Sequence, residues 1–238
     1  AWFFDARQQG DAIVDVGTHL VDLVQWICFP GISLDYEKDI RVLNAKKWPT
    51  PVSLSQFSLI TGMNGFPDYL KTYITRDTLL NVNANGMVNY TLRGIHIRIS
   101  PLWQYQAPAG SGDTFFSLLR GTKANLVIRQ GKEEKYQPTL YVEPLAGEDT
   151  KKYPEALTRS VAELSRQYPG IGMEKTANGW KIIIPDKYKL GHEAHFAQVM
   201  ERYLQYLKDG KLPDWEVPDM IAKYYTTTRA SAMAVVSK

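Results

Sequence analysis

The sequence lacks three features that would each define a broad class of protein: paired cysteines, a long apolar run and a large excess of one charge. Cys28 is its one cysteine, so no disulfide can form within the chain. The most apolar stretch, residues 13–29, is interrupted by Asp15, His19 and Asp22 and is too polar for a membrane helix. The 28 basic and 25 acidic residues leave a net charge of +3, too small and scattered for a nucleic-acid surface. We therefore expect neither nucleic acid nor a membrane as a partner.

Motifs for nucleotides, serine hydrolysis and zinc are missing as well. The chain has no Gly-x-Gly-x-x-Gly or Gly-Lys-Ser/Thr fingerprint and no Gly-x-Ser-x-Gly elbow. His192 and His195 are three residues apart, whereas zinc proteases space their histidines by four, and no third ligand is indicated. We therefore predict neither a metal site nor a cofactor site within these 238 residues.

The order of predicted elements indicates an α+β fold. Strand signals cluster in the middle of the chain and helices lie towards its two ends, which favours an open, mostly antiparallel or mixed β-sheet. Apolar periodicity predicts a first helix over residues 15–29, and Asn85-Gly86 between two apolar segments predicts a hairpin turn. Further helices are predicted over residues 151–168, 192–208 and 218–234. We expect one domain spanning residues 1–238.

A polar stripe on the first helix is the strongest candidate for chemistry. Asp15, His19 and Asp22 follow i, i+4, i+7 spacing and therefore share one face of an otherwise apolar helix. A carboxylate beside an imidazole suits general acid/base catalysis near neutral pH, and Gly17 leaves room for a ligand or another backbone. The alternative is purely structural: Asp15 caps the helix, His19 is a hydrogen-bonded, partly buried residue and Asp22 is a surface residue.

Two aromatic residues form a second candidate. Trp103 and Tyr105 alternate with Leu102 and Gln104, which predicts that the two rings share one face of a strand. Such rings stack on sugars or form an interface, although packing in a core is their commoner use.

Both ends of the chain resemble a known enzyme family. Gly10–Trp26, with its Asp-x-Gly-x-His-x-x-Asp pattern, resembles the second domain of the Gfo/Idh/MocA oxidoreductases, typified by glucose–fructose oxidoreductase and inositol dehydrogenase. Gly191–Phe196 and Trp215–Pro218 are similar to a subgroup of oxidoreductase C-terminal domains. The middle of the chain matches the family in strand content rather than in motif.

The resemblance implies roles for the polar stripe. His19 would accept the proton of a sugar or polyol hydroxyl while hydride moves to a nicotinamide, Asp15 would orient His19, and Asp22 would support the helix or the substrate site. The family's Rossmann domain and its catalytic lysine segment have no counterpart in this sequence. We therefore expect a C-terminal fragment of a longer oxidoreductase that binds NAD or NADP only at full length, with this chain inactive alone.

These observations leave three functions open. The leading one is the substrate-binding and oligomerisation domain of an NAD(P)-dependent sugar or polyol oxidoreductase, with Asp22, Gly17, Trp103 and Tyr105 at the substrate. Its partners would be its own Rossmann domain and further copies in a homo-oligomer. The alternatives are an NAD-using glycosidase of the same superfamily and a non-catalytic carbohydrate-binding or scaffold module. A cytoplasmic location is the default, and an exported form stays open.

Overall fold

A computed structural model describes residues 1–76, 78–147 and 152–236 of the chain. The described α-helices are α1 (Val16–Cys28), α2 (Leu54–Thr61), α3 (Lys152–Gln167), α4 (His192–Asp209) and α5 (Glu216–Met233). The described strands are β1 (Ile40–Ser53), β2 (Ile74–Thr75), β3 (Leu79–Leu92), β4 (Ile95–Ile99), β5 (Phe115–Arg120), β6 (Ala124–Gln130), β7 (Thr139–Pro144), β8 (Gly172–Thr176), β9 (Gly179–Ile183) and β10 (Val235–Val236). This mixture of helices and sheets confirms the α+β class.

The chain divides into two compact units. The first comprises Ala1–Tyr105 with Gly210–Lys238, and the second comprises Gln106–Asp209. The sequence predicted one domain over residues 1–238, and this division into units does not test that prediction.

The first unit is built on a mixed sheet with the strand order β10-β1-β3-β2, and β4 also pairs with β3. β1 and β3 are antiparallel along most of their length, whereas β10 is parallel to β1. The sequence did not predict β1, which contains Pro49 and Pro51. Pairing with β3 is irregular between Trp48 and Thr50, where Pro49 has no N–H to donate.

The predicted hairpin at Asn85-Gly86 is wrong, because both residues lie inside the long strand β3. The Asn85 side-chain amide donates to the Thr50 hydroxyl (2.8 Å), and its oxygen accepts the Trp103 N–H (2.8 Å). A Cβ on Gly86 would lie 2.6 Å from Cγ1 of Ile13. The two residues are therefore explained by contacts with distant segments rather than by a turn.

Helices α1 and α5 pack on this sheet around one apolar cluster. Val21 of α1 and Ala222 of α5 are buried there with Val88, Tyr90 and other residues of the sheet. The predicted first helix is confirmed to within one residue at each end, because its inward positions recur at helical spacing. A separate apolar cluster in the same unit consists of Phe4, Val52, Phe57, Leu70 and Leu80.

The second unit contains an antiparallel sheet in the order β5-β6-β7-β9-β8. Helix α3 lies against its β8 end, where the rings of Tyr153 and Trp180 are 6.1 Å apart. Phe116 and Leu118 occupy alternate positions of β5, on one face of the sheet, and both are exposed.

Candidate functional site

The turn before α1 is fixed by the side chain and carbonyl of Asp11. Its carboxylate oxygen Oδ1 accepts the Ile13 N–H (3.0 Å), and its carbonyl accepts the Asp15 N–H (3.0 Å). This arrangement sets where the helix begins, and it holds the backbone of Asp15 in place.

A buried ion pair ties the same turn to two distant elements. Oδ2 of Asp11 accepts hydrogen bonds from Nζ of Lys47 on β1 and from the hydroxyl of Ser231 on α5, both at 2.9 Å. The Asp11 side chain is 7% exposed and that of Lys47 is 19% exposed. A carboxylate at this depth needs such partners, because burial removes the water that would otherwise solvate it. The sequence did not single out these three residues.

Gly17 lies in the first turn of α1 and is buried. Its N–H donates to the Ala12 carbonyl (2.8 Å), and that carbonyl oxygen would stand 3.2 Å from a Cβ at this position. The space beside Gly17 is therefore occupied by the chain's own backbone. Its contact with a substrate stays a prediction.

His19 stands in an uncovered apolar stripe on α1, which we call the α1 stripe. The stripe consists of Val16, Leu23, Trp26 and Ile27, which are 45–65% exposed, and His19 itself is exposed. The structural alternative of a hydrogen-bonded, partly buried histidine does not describe this position.

Asp15 precedes α1 at the cap position and is half-buried, but its side chain makes no capping hydrogen bond. Among the residues that the structure describes, no hydrogen bond joins Asp15 to His19 or engages the His19 ring. Both groups are therefore available to an incoming ligand, one helical turn apart on the same face.

Asp22 connects the polar stripe to α5. Its carboxylate accepts a hydrogen bond from Nζ of Lys223 at 3.1 Å, in an ion pair that is partly open to solvent. Nearby on α5, buried Asp219 accepts the Leu34 N–H at 3.0 Å. Burial raises the pKa of Asp219 despite that hydrogen bond, and the negative charges of Glu216 and Asp22 raise it further.

An open pocket of about 410 Å³ lies where α5 begins. Its lining comprises Ser33, Leu34, Asp35, Tyr36, Glu37, Pro218 and Ile221. The lining includes neither Asp15 nor His19. The candidate catalytic residues therefore lie on a surface of this chain rather than in this pocket.

The prediction that Trp103 and Tyr105 share a strand face is wrong, because both lie in the loop after β4. The backbone of Trp103 bonds to side chains instead: its N–H donates to Asn85, and its carbonyl accepts the Thr50 hydroxyl at 2.5 Å. The two rings still meet edge to face, with centroids 6.1 Å apart. Trp103 packs on the second apolar cluster of the first unit, whereas α1 packs on the first.

The structure thus brings the predicted residues together in two separate groups. One is the helical set of Asp15, Gly17, His19 and Asp22, and the other is the Trp103–Tyr105 ring pair.

Within the described ranges, no group of three or more histidine, cysteine, aspartate or glutamate side chains is arranged to hold a metal ion. No described helix combines the length and apolar character needed to cross a membrane.

The fold and the site together define a class: an α+β unit whose first helix packs on a mixed sheet and carries a polar stripe that includes the exposed His19. Residues 1–235 match the family model described as "Putative oxidoreductase C terminal domain". The chain therefore belongs to this family of oxidoreductase C-terminal domains.

A solved structure is similar over nearly the whole chain. It is the crystal structure, at 2.23 Å resolution, of a protein described as a putative oxidoreductase from Parabacteroides merdae ATCC 43184. The two are 52% identical in sequence with a TM-score of 0.96, and the match covers 98% of this chain. This chain spans 53% of that relative's length. Comparison with curated proteins gives no match.

Proposed function

We propose that this chain is the substrate-binding part of an NAD(P)-dependent oxidoreductase of the Gfo/Idh/MocA type that acts on a sugar or polyol. One observation carries the proposal. The side chains of His19 and Asp15 lie one turn apart without hydrogen-bond partners among the described residues, and His19 is exposed, in a chain from an oxidoreductase family. An acid/base pair held by a rigid helix but left open to solvent is what a substrate hydroxyl needs.

His19 would take the proton of the substrate hydroxyl. Asp15, one turn earlier on the same face, would accept the second N–H of the ring and stabilise the imidazolium that forms. Asp22 is already paired with Lys223, so its contribution would be to hold the helix and to present a charged rim to the substrate hydroxyls.

The nicotinamide would lie outside this chain. The sequence has no glycine-rich dinucleotide loop, so residues of a further domain would build the cofactor site. When bound by a further domain, NAD or NADP supplies the hydride acceptor. That further domain would then cover the α1 stripe and exclude water from the reacting hydroxyl. Exclusion of water strengthens the interaction of Asp15 with His19.

A homo-oligomer is part of the same proposal. On β4, Ile99 is buried and Ile97 packs on the cluster that includes α1, whereas Ile95 is exposed. The exposed pair Phe116 and Leu118 on β5 offers a sheet face that a second copy would cover.

The first experiment is to purify the natural polypeptide that contains this chain, release its ligands by heat and search for NAD or NADP by mass spectrometry. If none is carried through purification, titration with both nucleotides follows. Binding is the expected result. No nucleotide binding at any concentration contradicts the oxidoreductase proposal and favours a carbohydrate-binding or scaffold module.

Substitution of His19 tests its role in the chemistry. His19→Ala should lower kcat by about 10²–10⁴-fold, the loss expected for a general base, while leaving substrate and nucleotide affinity nearly unchanged. His96→Ala, an exposed histidine on β4, is the matched control. Turnover on glycosides without release of free NADH would assign the protein to the NAD-using glycosidases instead.

A further inference from the structure

Helix α4 of the second unit carries a second, larger uncovered apolar surface. Its apolar residues recur every three or four positions and are each 53–67% exposed: Phe196, Val199, Met200, Tyr203, Leu204 and Leu207. No residue of α4 whose side chain the structure describes is buried. We call these six side chains the α4 stripe.

The α4 stripe is as large as the largest apolar patch that a typical monomer exposes. More than half of each of six large side chains is accessible, which amounts to on the order of 500 Å² in one continuous band. The largest apolar patch of a monomer is often functional, whereas apolar residues scattered singly need no explanation.

The shape of the stripe indicates what kind of surface covers it. Three apolar side chains per seven residues make a band wider than the two-per-seven seam of a coiled coil, so a broad surface fits better than a single helix. The opposite side of α4 carries Glu201, Arg202 and Gln198 in the middle of the helix. This mixed charge lacks the basic face of helices that lie on anionic membranes.

The length of the relative indicates what covers the α4 stripe. Its fold matches almost all of this chain, yet just under half of its own length lies outside the match. We propose that the α4 stripe is the docking surface for the additional domain of the longer polypeptide. A domain joined covalently to this chain meets the stripe at high effective concentration, so it competes well against separate molecules. The inference rests on the proposed function only in requiring that such a domain exists.

The test uses cysteine accessibility in the natural polypeptide, with Cys28→Ser as the background. Val199→Cys places the thiol on the stripe. Gln198→Cys, outside the stripe on the same turn, is the matched control, because both positions are exposed in this chain. Maleimide labelling rates are measured for both variants in the folded and urea-unfolded protein, over a wide range of protein concentrations.

We expect Val199→Cys to react about tenfold more slowly than Gln198→Cys in the folded protein, because the covered site must first open. The two rates should be equal in urea, and the ratio should not change with protein concentration. Equal rates in the folded protein overturn the proposal. A ratio that rises with concentration also overturns it, because a second copy is then the occupant.

Failure of the docking proposal and failure of the proposed function are distinguishable. Labelling rates do not depend on catalysis or on nucleotide binding. If Val199→Cys is protected in a protein that binds no nucleotide, the docking proposal is supported and the oxidoreductase proposal is contradicted.

Discussion

The buried pair between Asp11 and Lys47 gives the sharpest prediction about what positions the candidate site. Lys47→Met removes the ammonium group but keeps most of the apolar stem. The Asp11 carboxylate, 7% exposed, would then retain only the hydroxyl of Ser231 and the N–H of Ile13. Breaking one side of a buried pair costs about 3–5 kcal/mol. Because two hydrogen bonds to Asp11 survive, we expect the lower end, about 3 kcal/mol.

The assay is urea unfolding followed by circular dichroism, with the free energy of unfolding taken from the midpoint at an unchanged slope. The double variant Asp11→Asn with Lys47→Met is the control. It removes the buried charge along with its partner, so it should be more stable than Lys47→Met alone. A cost below about 1 kcal/mol for Lys47→Met, or a double variant as unstable as the single one, would refute the reasoning.

Three further predictions concern other parts of the first unit. The Arg7 guanidinium lowers the pKa of Asp5 from 3.8 to about 2, so the stability from this pair is present above about pH 4 and is lost as the pH falls through 2. Arg7→Gln should therefore move acid unfolding, followed by circular dichroism, to a higher pH; an unchanged acid transition speaks against the pair. Burial raises the pKa of Asp219, so its contribution to stability declines as the pH rises through that raised value, and Asp219→Asn should remove the decline in urea midpoints measured against pH. The same pH slope in wild type and variant would show that Asp219 is not the source of the decline. Gly86→Ala should cost about 1–3 kcal/mol, because its Cβ meets Ile13, and a double-mutant cycle with Ile13→Ala should show coupling between the two sites. Additive costs would mean that the contact is not the cause.

Local signals in the sequence predicted the elements that local interactions determine. Helix α1 follows from the apolar spacing of its own residues, and its observed bounds agree with that spacing. The Asn85-Gly86 signal failed because the turn preference of these two residues is weak beside their distant contacts. Thr50 and Trp103 bond to Asn85, and Ile13 packs where a Cβ of Gly86 would be.

The same distinction applies to the candidate site. Asp15, His19 and Asp22 could be placed on one helix face from their spacing alone. The groups that support the turn before α1 could not be predicted from spacing, because Lys47 is 36 positions from Asp11 and Ser231 is 220 positions from it. The exposure of His19 could not be predicted from spacing either, since it depends on which surfaces of α1 the sheet and α5 leave uncovered.

The two bonds from α5 to the region of α1 have a consequence for the order in which the protein is made. Lys223 reaches Asp22 across 201 positions, and Ser231 reaches Asp11 across 220. During synthesis the chain emerges from its amino end, so α1 is translated well before the α5 residues that support it. A message cut short before α5 would yield a product that retains Asp15 and His19 in sequence but lacks the groups that hold their helix in place.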